Sequence, residues 1–405
     1  MSKTIYYSSV QNIQYFFACL FFASLNFEMF SPIIPDFSVA KMTSILYIAV
    51  SLLTTKESLS VRNIKKPLFS IFTMFFLMVF SSVIYKQDET SVFNITIFLN
   101  ILMFWFLLNH SRQDNRVFNN GLLWFSVSSF IMGVLFYFNI GVEYKDMRVM
   151  LFGENANNIG VKMAVGLLFL LNYCLNHSDD RPIYRPWLLI MAVPMLLLLF
   201  ATASRVSVLV ISLGMIIFVL LRKTKKKSTK LLWLIVGVVI LLYGLKIMLQ
   251  QEVLMARMEE TLTEGNIAGR DYIWEKYFDL FISHPILGVG FTGAHKYSIE
   301  VFGQTLSPHN VLLEVAVYSG IVGLACFVRF LIFVFYDSWL YYKKKNILGP
   351  MVTNMAIVGM IVSGQALGVK LFWVIAAYSI SGQIILNGNS VNNKVPSNDA
   401  QDKNY

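Results

Sequence analysis

Read for polarity alone, the chain alternates long apolar runs with short charged connections. Runs long enough to cross about 30 Å of hydrocarbon begin near Ile13, Phe37, Leu68, Val92, Asn120, Asn158, Trp187, Val206, Leu231, His309, Pro350 and Leu371. The pattern therefore predicts an all-α polytopic membrane protein with about twelve transmembrane helices. Residues 1–249 would hold spans one to nine and residues 309–388 spans ten to twelve. Between them, residues 250–308 form a long polar loop carrying an amphipathic helix, and residues 389–405 read as a disordered tail. The first apolar stretch has no small-residue cleavage site behind it and reads as a retained helix. Neither a fixed-period repeat nor an inverted symmetry of halves is visible.

Charge adds an orientation. Lysine and arginine concentrate in alternate connections, KESLSVRNIKKP, HSRQDNRVFN, HSDDRPIYR, RKTKKKSTK and YYKKKN, which the positive-inside rule assigns to the cytoplasm. The intervening SPIIPDF, YKQDETS, GVEYKDMR and TASR are poorer in positive charge and should face outward. Both termini then lie inside and the 250–308 loop outside. In a chain that is 56% hydrophobic and only 14% charged, a net charge of +10 reads as topology and gives no reason to expect nucleic acid as a partner. Cys19, Cys174 and Cys326 fall in apolar segments and read as small buried hydrophobes.

With sides assigned, the polar residues of the outer face become the candidates. Arg205, in TASRVSVLV, sits between two spans and is either a snorkelling arginine or an anion ligand. Arg148, in DMRVMLFGENANNIG, taken alone is an ordinary loop charge, and Lys162 one turn into the sixth span can snorkel to the same surface. Arg270 opens a stretch in which Ile273, Trp274, Tyr277, Leu280 and Phe281 recur at helical spacing, an amphipathic helix lying on the membrane or the bundle. HPILGVGFTG has alternating glycines but no strand before them, so it reads as a turn rather than a phosphate cradle, with His284 ending the amphipathic helix. In SPHNVLLE, Ser307 would cap the tenth span and Pro308 would open it, placing His309 and Asn310 in its first turn. Asn310 and Glu314 would then share a helix face, the glutamate turned to the interior or a wet cavity. Arg329 is the one other ionisable residue that the pattern places well inside a span.

Cations, a histidine and a carboxylate on one side fit chemistry on a lipid-linked diphosphate. Arginine offers a planar fork to phosphate oxygens, and a neutral histidine can take a proton from an attacking hydroxyl. The sequence shows neither a D-x-D pair nor a Cys/His cluster, so no metal or other cofactor is expected.

These residues also resemble the O-antigen ligase and polymerase superfamily, bacterial inner-membrane glycosyltransferases with a multi-helix, GT-C-like fold. The marks are R-x-x-x-x-G-x-N-x-N-x-x-G from Arg148 to Gly160, Ser204 with Arg205, G-R-x-x-x-W from Gly269 to Trp274, H-P-x-x-G-x-G from His284 to Gly290, and P-H-N-x-x-L-E from Pro308 followed by G-x-x-G. Ala156 departs from the proline often found between the two asparagines. The resemblance implies transfer of a glycan from undecaprenyl diphosphate to an acceptor hydroxyl at the periplasmic face. It makes Arg205, Arg270 and His309 catalytic, His309 as base or acceptor-orienting group. Arg148, Asn155, Asn157 and Lys162 complete the substrate site, with Asn310 and Glu314 as the shell supporting His309. Undecaprenyl-diphosphate-linked oligosaccharides and the bilayer are the implied partners, and a chain-length regulator is left open. Because the compact S-P-H-N-x-L-L-E motif resembles repeat-unit polymerases more than the H-x-H-N form of many ligases, polymerase is the first reading and ligation to lipid A core the second. A lipid or polysaccharide transporter is the alternative of another class, disfavoured by the gathering of charge on one face.

Overall fold

The computed structural model describes residues 2–32, 37–54, 58–61, 64–84, 92–145, 148–175, 186–222, 235, 242, 246, 270–364 and 366–392. The span expected near Leu231 apart from residues 235, 242 and 246, residues 250–269 of the outer loop, the connections YKQDETS and HSDDRPIYR, and the tail beyond 392 fall outside them.

The helices in chain order are α1 (Ser2–Ser24), α2 (Val39–Leu52), α3 (Lys65–Ile84), α4 (Val92–Gln113), α5 (Arg116–Tyr137), α6 (Ala156–Leu175), α7 (Ala192–Ala201), α8 (Arg205–Leu221), α9 (Arg270–Ser283), α10 (Gly290–Phe302), α11 (Val311–Lys345), α12 (Gly349–Thr353), α13 (Met355–Ser363) and α14 (Lys370–Asn392). Among the described residues α3, α4, α5, α6 and α11 are long and apolar enough to cross a membrane, and four shorter apolar helical stretches accompany them. The chain is thus a multi-pass, mostly helical membrane protein.

Several expectations are corrected. The fold is not purely helical: β1 (Val142–Lys145) and β2 (Arg148–Leu151) pair antiparallel, with Lys145 opposite Arg148. The run from Pro350 divides at Asn354 into α12 and α13, and α14 continues to Asn392, past the expected boundary at 388. Arg329 lies on the exposed side of α11, its guanidinium 5.6 Å from the Phe333 ring, whereas Lys370 and Asp337 are buried ionisable groups that the hydropathy pattern passed over.

α6 is the hub. Every side chain from Ile159 to Leu170 is buried, and the helix packs against α5, α7 and α8. In lipid the hydrophobic effect gives apolar helices little reason to associate, so close packing through small residues has to do it. Gly160 meets Ser207 and Thr202, Gly166 meets Ser129 and Met195, and Gly214 of α8 receives Leu168. Phe69, Phe76 and Val83 along α3 remain exposed, as side chains facing lipid would be.

α11 spans 35 residues, about 52 Å of helix, and breaks at Gly320, whose φ of 65° is open to glycine and strained for any side chain. The HPILGVG turn docks into that break: Ile321 N–H donates to Pro285 O at 2.8 Å, Val289 N–H to Val317 O at 2.8 Å, and Ser81 Oγ to Leu287 O at 2.5 Å. A Cβ at Gly320 would collide with the Ile286 carbonyl. The glycines of H-P-x-x-G-x-G therefore serve a helix break, in line with the turn reading. Gly320→Ala is expected to cost about 2–4 kcal/mol, from left-handed strain plus overpacking, seen as a lower thermal midpoint in detergent. An unchanged midpoint would mean that the turn is not seated against this break.

Candidate active site

The site lies where the hairpin, the start of α6, the turn before α8, and the loop before α11 converge. A cavity of about 330 Å³ is lined there by Arg148, Asn155, Asn157, Asn158, Val161, Lys162 and His309, together with Met360 of α13, Leu371 of α14, and Gly364 and Val369 from between those two helices. The hairpin and α6 supply mostly polar and cationic lining, and the α13–α14 segment supplies an apolar wall, which suits a ligand that joins a charged head to a hydrocarbon chain.

Each polar side chain has a local reason for its place. The hairpin carries Arg148 to the cavity, where its Nη2 donates to Asn157 Oδ1 at 2.7 Å and to Thr202 O at 3.4 Å. Thr202 belongs to the turn between α7 and α8, in which Ala203 takes φ 48° and Ser204 caps α8 by accepting from Ser207 N–H. Arg205, first residue of α8, is exposed and leaves that same turn without reaching the cavity lining. Asn155 Oδ1 accepts from Asn158 N–H at 3.0 Å, turning the chain into α6.

Lys162 does not snorkel. Its side chain is 2% exposed, with Nζ 2.6 Å from Glu154 Oε2 and 3.5 Å from Glu28 Oε2. Glu28, which follows α1, also accepts from Lys370 Nζ at 3.1 Å at the start of α14.

The helix bearing the histidine motif begins later than Ser307 suggests. Asn310, not Ser307, caps α11, its Oδ1 accepting from Leu312 and Leu313 N–H at 3.0 and 3.3 Å. Ser307 instead bridges: its Oγ donates to the buried Glu314 carboxylate at 2.5 Å and accepts from His309 N–H at 3.1 Å. His309 itself takes φ 50°, a conformation that costs an L-residue about 1–2 kcal/mol and persists only where surroundings enforce it. Glu314 supports it through that serine, whereas Asn310 is occupied with the helix end.

The lateral helix does the rest. Trp274 Nε1 donates to Pro308 O and Tyr277 OH to Leu306 O, both at 2.6 Å, and Ser298 of α10 grips Leu306 from the other side. Arg270 and Trp274 lie four apart on one face of α9, so anchoring Trp274 at Pro308 brings Arg270 beside His309. Burial first, and the Arg270 cation second, hold the His309 imidazole below its ordinary value and so in the neutral form at pH 7.

The structure thus gathers Arg148, Asn155, Asn157, Lys162 and His309 on one cavity and sets Arg270 against His309, while Arg205, Asn310 and Glu314 stand outside its lining. Among the described residues no group of His, Cys, Asp and Glu is arranged to hold a metal ion. Sequence reading missed Glu28, Glu154 and Lys370, gave Ser307 the capping role that Asn310 holds, and took Trp274 and Tyr277 for packing alone. The signal for the charged three was available: each interrupts an apolar or loop segment, in NFEMF, GENAN and VKLFW.

Comparison with known proteins then bears on the family. None of the curated proteins matches the chain. Residues 190–328, however, match the family described as O-antigen ligase. Over that segment, about a third of its length, the chain is similar to the O-antigen ligase family. The matched segment contains Arg205, Arg270, His309, Asn310 and Glu314, while the other residues lining the cavity, from Arg148 to Lys162 and from Met360 to Leu371, lie outside it. The match supports the resemblance at the level of the superfamily without dividing polymerases from ligases.

Proposed function

We propose that the protein is a repeat-unit polymerase of the bacterial inner membrane, transferring a glycan from undecaprenyl diphosphate to a hydroxyl on a second lipid-linked repeat unit at the periplasmic face. The observation that carries this reading is the two-sided cavity, with Arg148, Asn155 and Asn157 for a diphosphate, Val369 and Leu371 for the first prenyl units, and His309 at the rim. His309, neutral at pH 7, accepts the acceptor hydroxyl's proton as the oxygen attacks the anomeric carbon and the diphosphate departs with the bond electrons. Arginines stabilise the growing negative charge on that leaving group, Arg148 from the cavity wall and Arg270 beside His309, while Arg205, outside the cavity lining, holds the glycan next to the diphosphate. Both termini are cytoplasmic in this reading, the Lys343–Lys345 end of α11 lying on the cytoplasmic side and His309 at the other end.

A ligase, moving finished chains onto lipid A core, is the second reading, favoured by the description of the matched family. One experiment separates them: delete the gene in its host and complement with wild type or Arg205→Ala, then resolve surface glycan on a gel. Loss of the ladder with a single repeat still on lipid A core supports the polymerase. Long chains stranded on the lipid carrier would establish the ligase. An unchanged ladder after deletion overturns both, and a normal ladder with Arg205→Ala removes that arginine from the reaction.

A further inference from the structure

Beside the cavity sits a cluster that neither reading explains. Lys162, one of the cavity's lining residues, is buried with two carboxylates on its ammonium, Glu154 at 2.6 Å and Glu28 at 3.5 Å. Glu28 in turn holds Lys370 at 3.1 Å. The charges balance, two cations against two anions, and all four side chains are at most 11% exposed. A cation meant to ligate a diphosphate needs charge to spare, and this one has none.

The four groups come from three distant parts of the chain. Glu28 follows α1; Glu154 and Lys162 bracket the start of α6; Lys370 opens α14. Glu154 also accepts from Asn158 Nδ2 at 2.8 Å, so it fixes the first turn of α6, from which Asn157 and Asn158 face the cavity. Lys370 lies between Val369 and Leu371, two residues of the apolar wall, and its backbone N–H also donates to Glu28 Oε1 at 3.3 Å. The cluster therefore ties the polar wall to the apolar wall.

We propose that Lys162 is a positioning residue, the hub of a neutral four-charge clasp with Glu154, Glu28 and Lys370 that sets the two walls of the cavity and cancels two carboxylates that would otherwise repel an anionic ligand. This rests on the proposed lipid-diphosphate function for its kinetic consequence but not for its structural one. It differs from a ligand role for Lys162 in a way that a charge-balanced double variant exposes. Lys162→Met leaves Lys370 with Glu28 and removes the cation that faces Glu154. Lys162→Met with Glu154→Gln leaves Glu28 paired with Lys370 and the cluster neutral again.

The test uses the full-length protein in proteoliposomes, with the lipid-linked repeat unit as donor, alongside thermal unfolding in detergent. Lys162→Met should raise the donor KM at least about tenfold with kcat within about threefold, and lower the thermal midpoint. The balanced double should return KM to within about threefold of wild type and recover most of the midpoint. A purely structural defect would reduce the amount of folded enzyme, hence apparent kcat, and would leave KM alone. A double variant with the same raised KM as the single would make Lys162 a direct donor ligand and overturn the proposal, and so would a single variant that leaves KM unmoved. Should the wild type transfer nothing, the functional reading fails while the unfolding series still decides the clasp: recovery in the double upholds it, and no recovery removes it.

Discussion

Replacing His309 with alanine is expected to lower kcat/KM about 10²–10⁴-fold, the range removed with a general base, while the protein still folds and inserts. Folding should survive because the loop is held by Trp274, Tyr277 and Ser298 through backbone carbonyls of neighbouring residues rather than through the imidazole. Transfer by purified His309→Ala in proteoliposomes, with its thermal midpoint beside it, makes the check; activity within about tenfold of wild type would leave His309 only an orienting role. A pH profile adds a second readout. Burial and Arg270 both disfavour the imidazolium, so the folded-state value is depressed and neutral His309 persists to lower pH than usual. The acid limb of kcat/KM should consequently lie below the ordinary histidine value of about 6.5. Arg270→Ala removes one of the two depressing causes, so whatever activity remains should show that limb moved upward; a limb that stays put would mean that Arg270 does not act on the base.

The second large effect is expected at Arg148. Its Nη2 joins the hairpin to α6 through Asn157 and to the turn before α8 through Thr202, and the same residue lines the cavity. A charged hydrogen bond contributes about 1.5–3 kcal/mol, so Arg148→Ala should lose about 10- to 150-fold in kcat/KM for the lipid-linked donor. Arg148→Lys keeps the charge but not the planar fork and should recover only part of that loss. Steady-state kinetics of the two variants decide it: full recovery with lysine would reduce Arg148 to a point charge, and no loss with alanine would take it out of the donor site.

How much of this was legible beforehand differs from element to element. α6 could be read because its apolar run is long and broken by charge only at Lys162 near its start, and α9 because Ile273, Trp274, Tyr277, Leu280 and Phe281 repeat at helical spacing. Arg148 and His309 could be singled out because a cation or histidine bordering an apolar run needs a reason. The β-hairpin could not, since VEYK and RVML are too short to carry a period, and their pairing exists only once each edge finds the other. Ser307 was read as a cap because serine before proline is a good helix start locally. Its hydroxyl is claimed instead by Glu314, seven residues on, and Asn310 takes the capping role.

By itself, the sequence determined the solvent this protein folds in and the kind of residue it presents at one end of its helices, because both follow from local quantities, hydropathy over a span's length and the identity of residues at its edges. Tertiary structure alone decided which of those residues meet. Arg148 reaches Thr202 across 54 positions and Lys370 reaches Glu28 across 342, separations over which no local pattern carries information. It also decided that Lys162 is neutralised rather than available, because the worth of a buried charge depends on the partners that packing places around it.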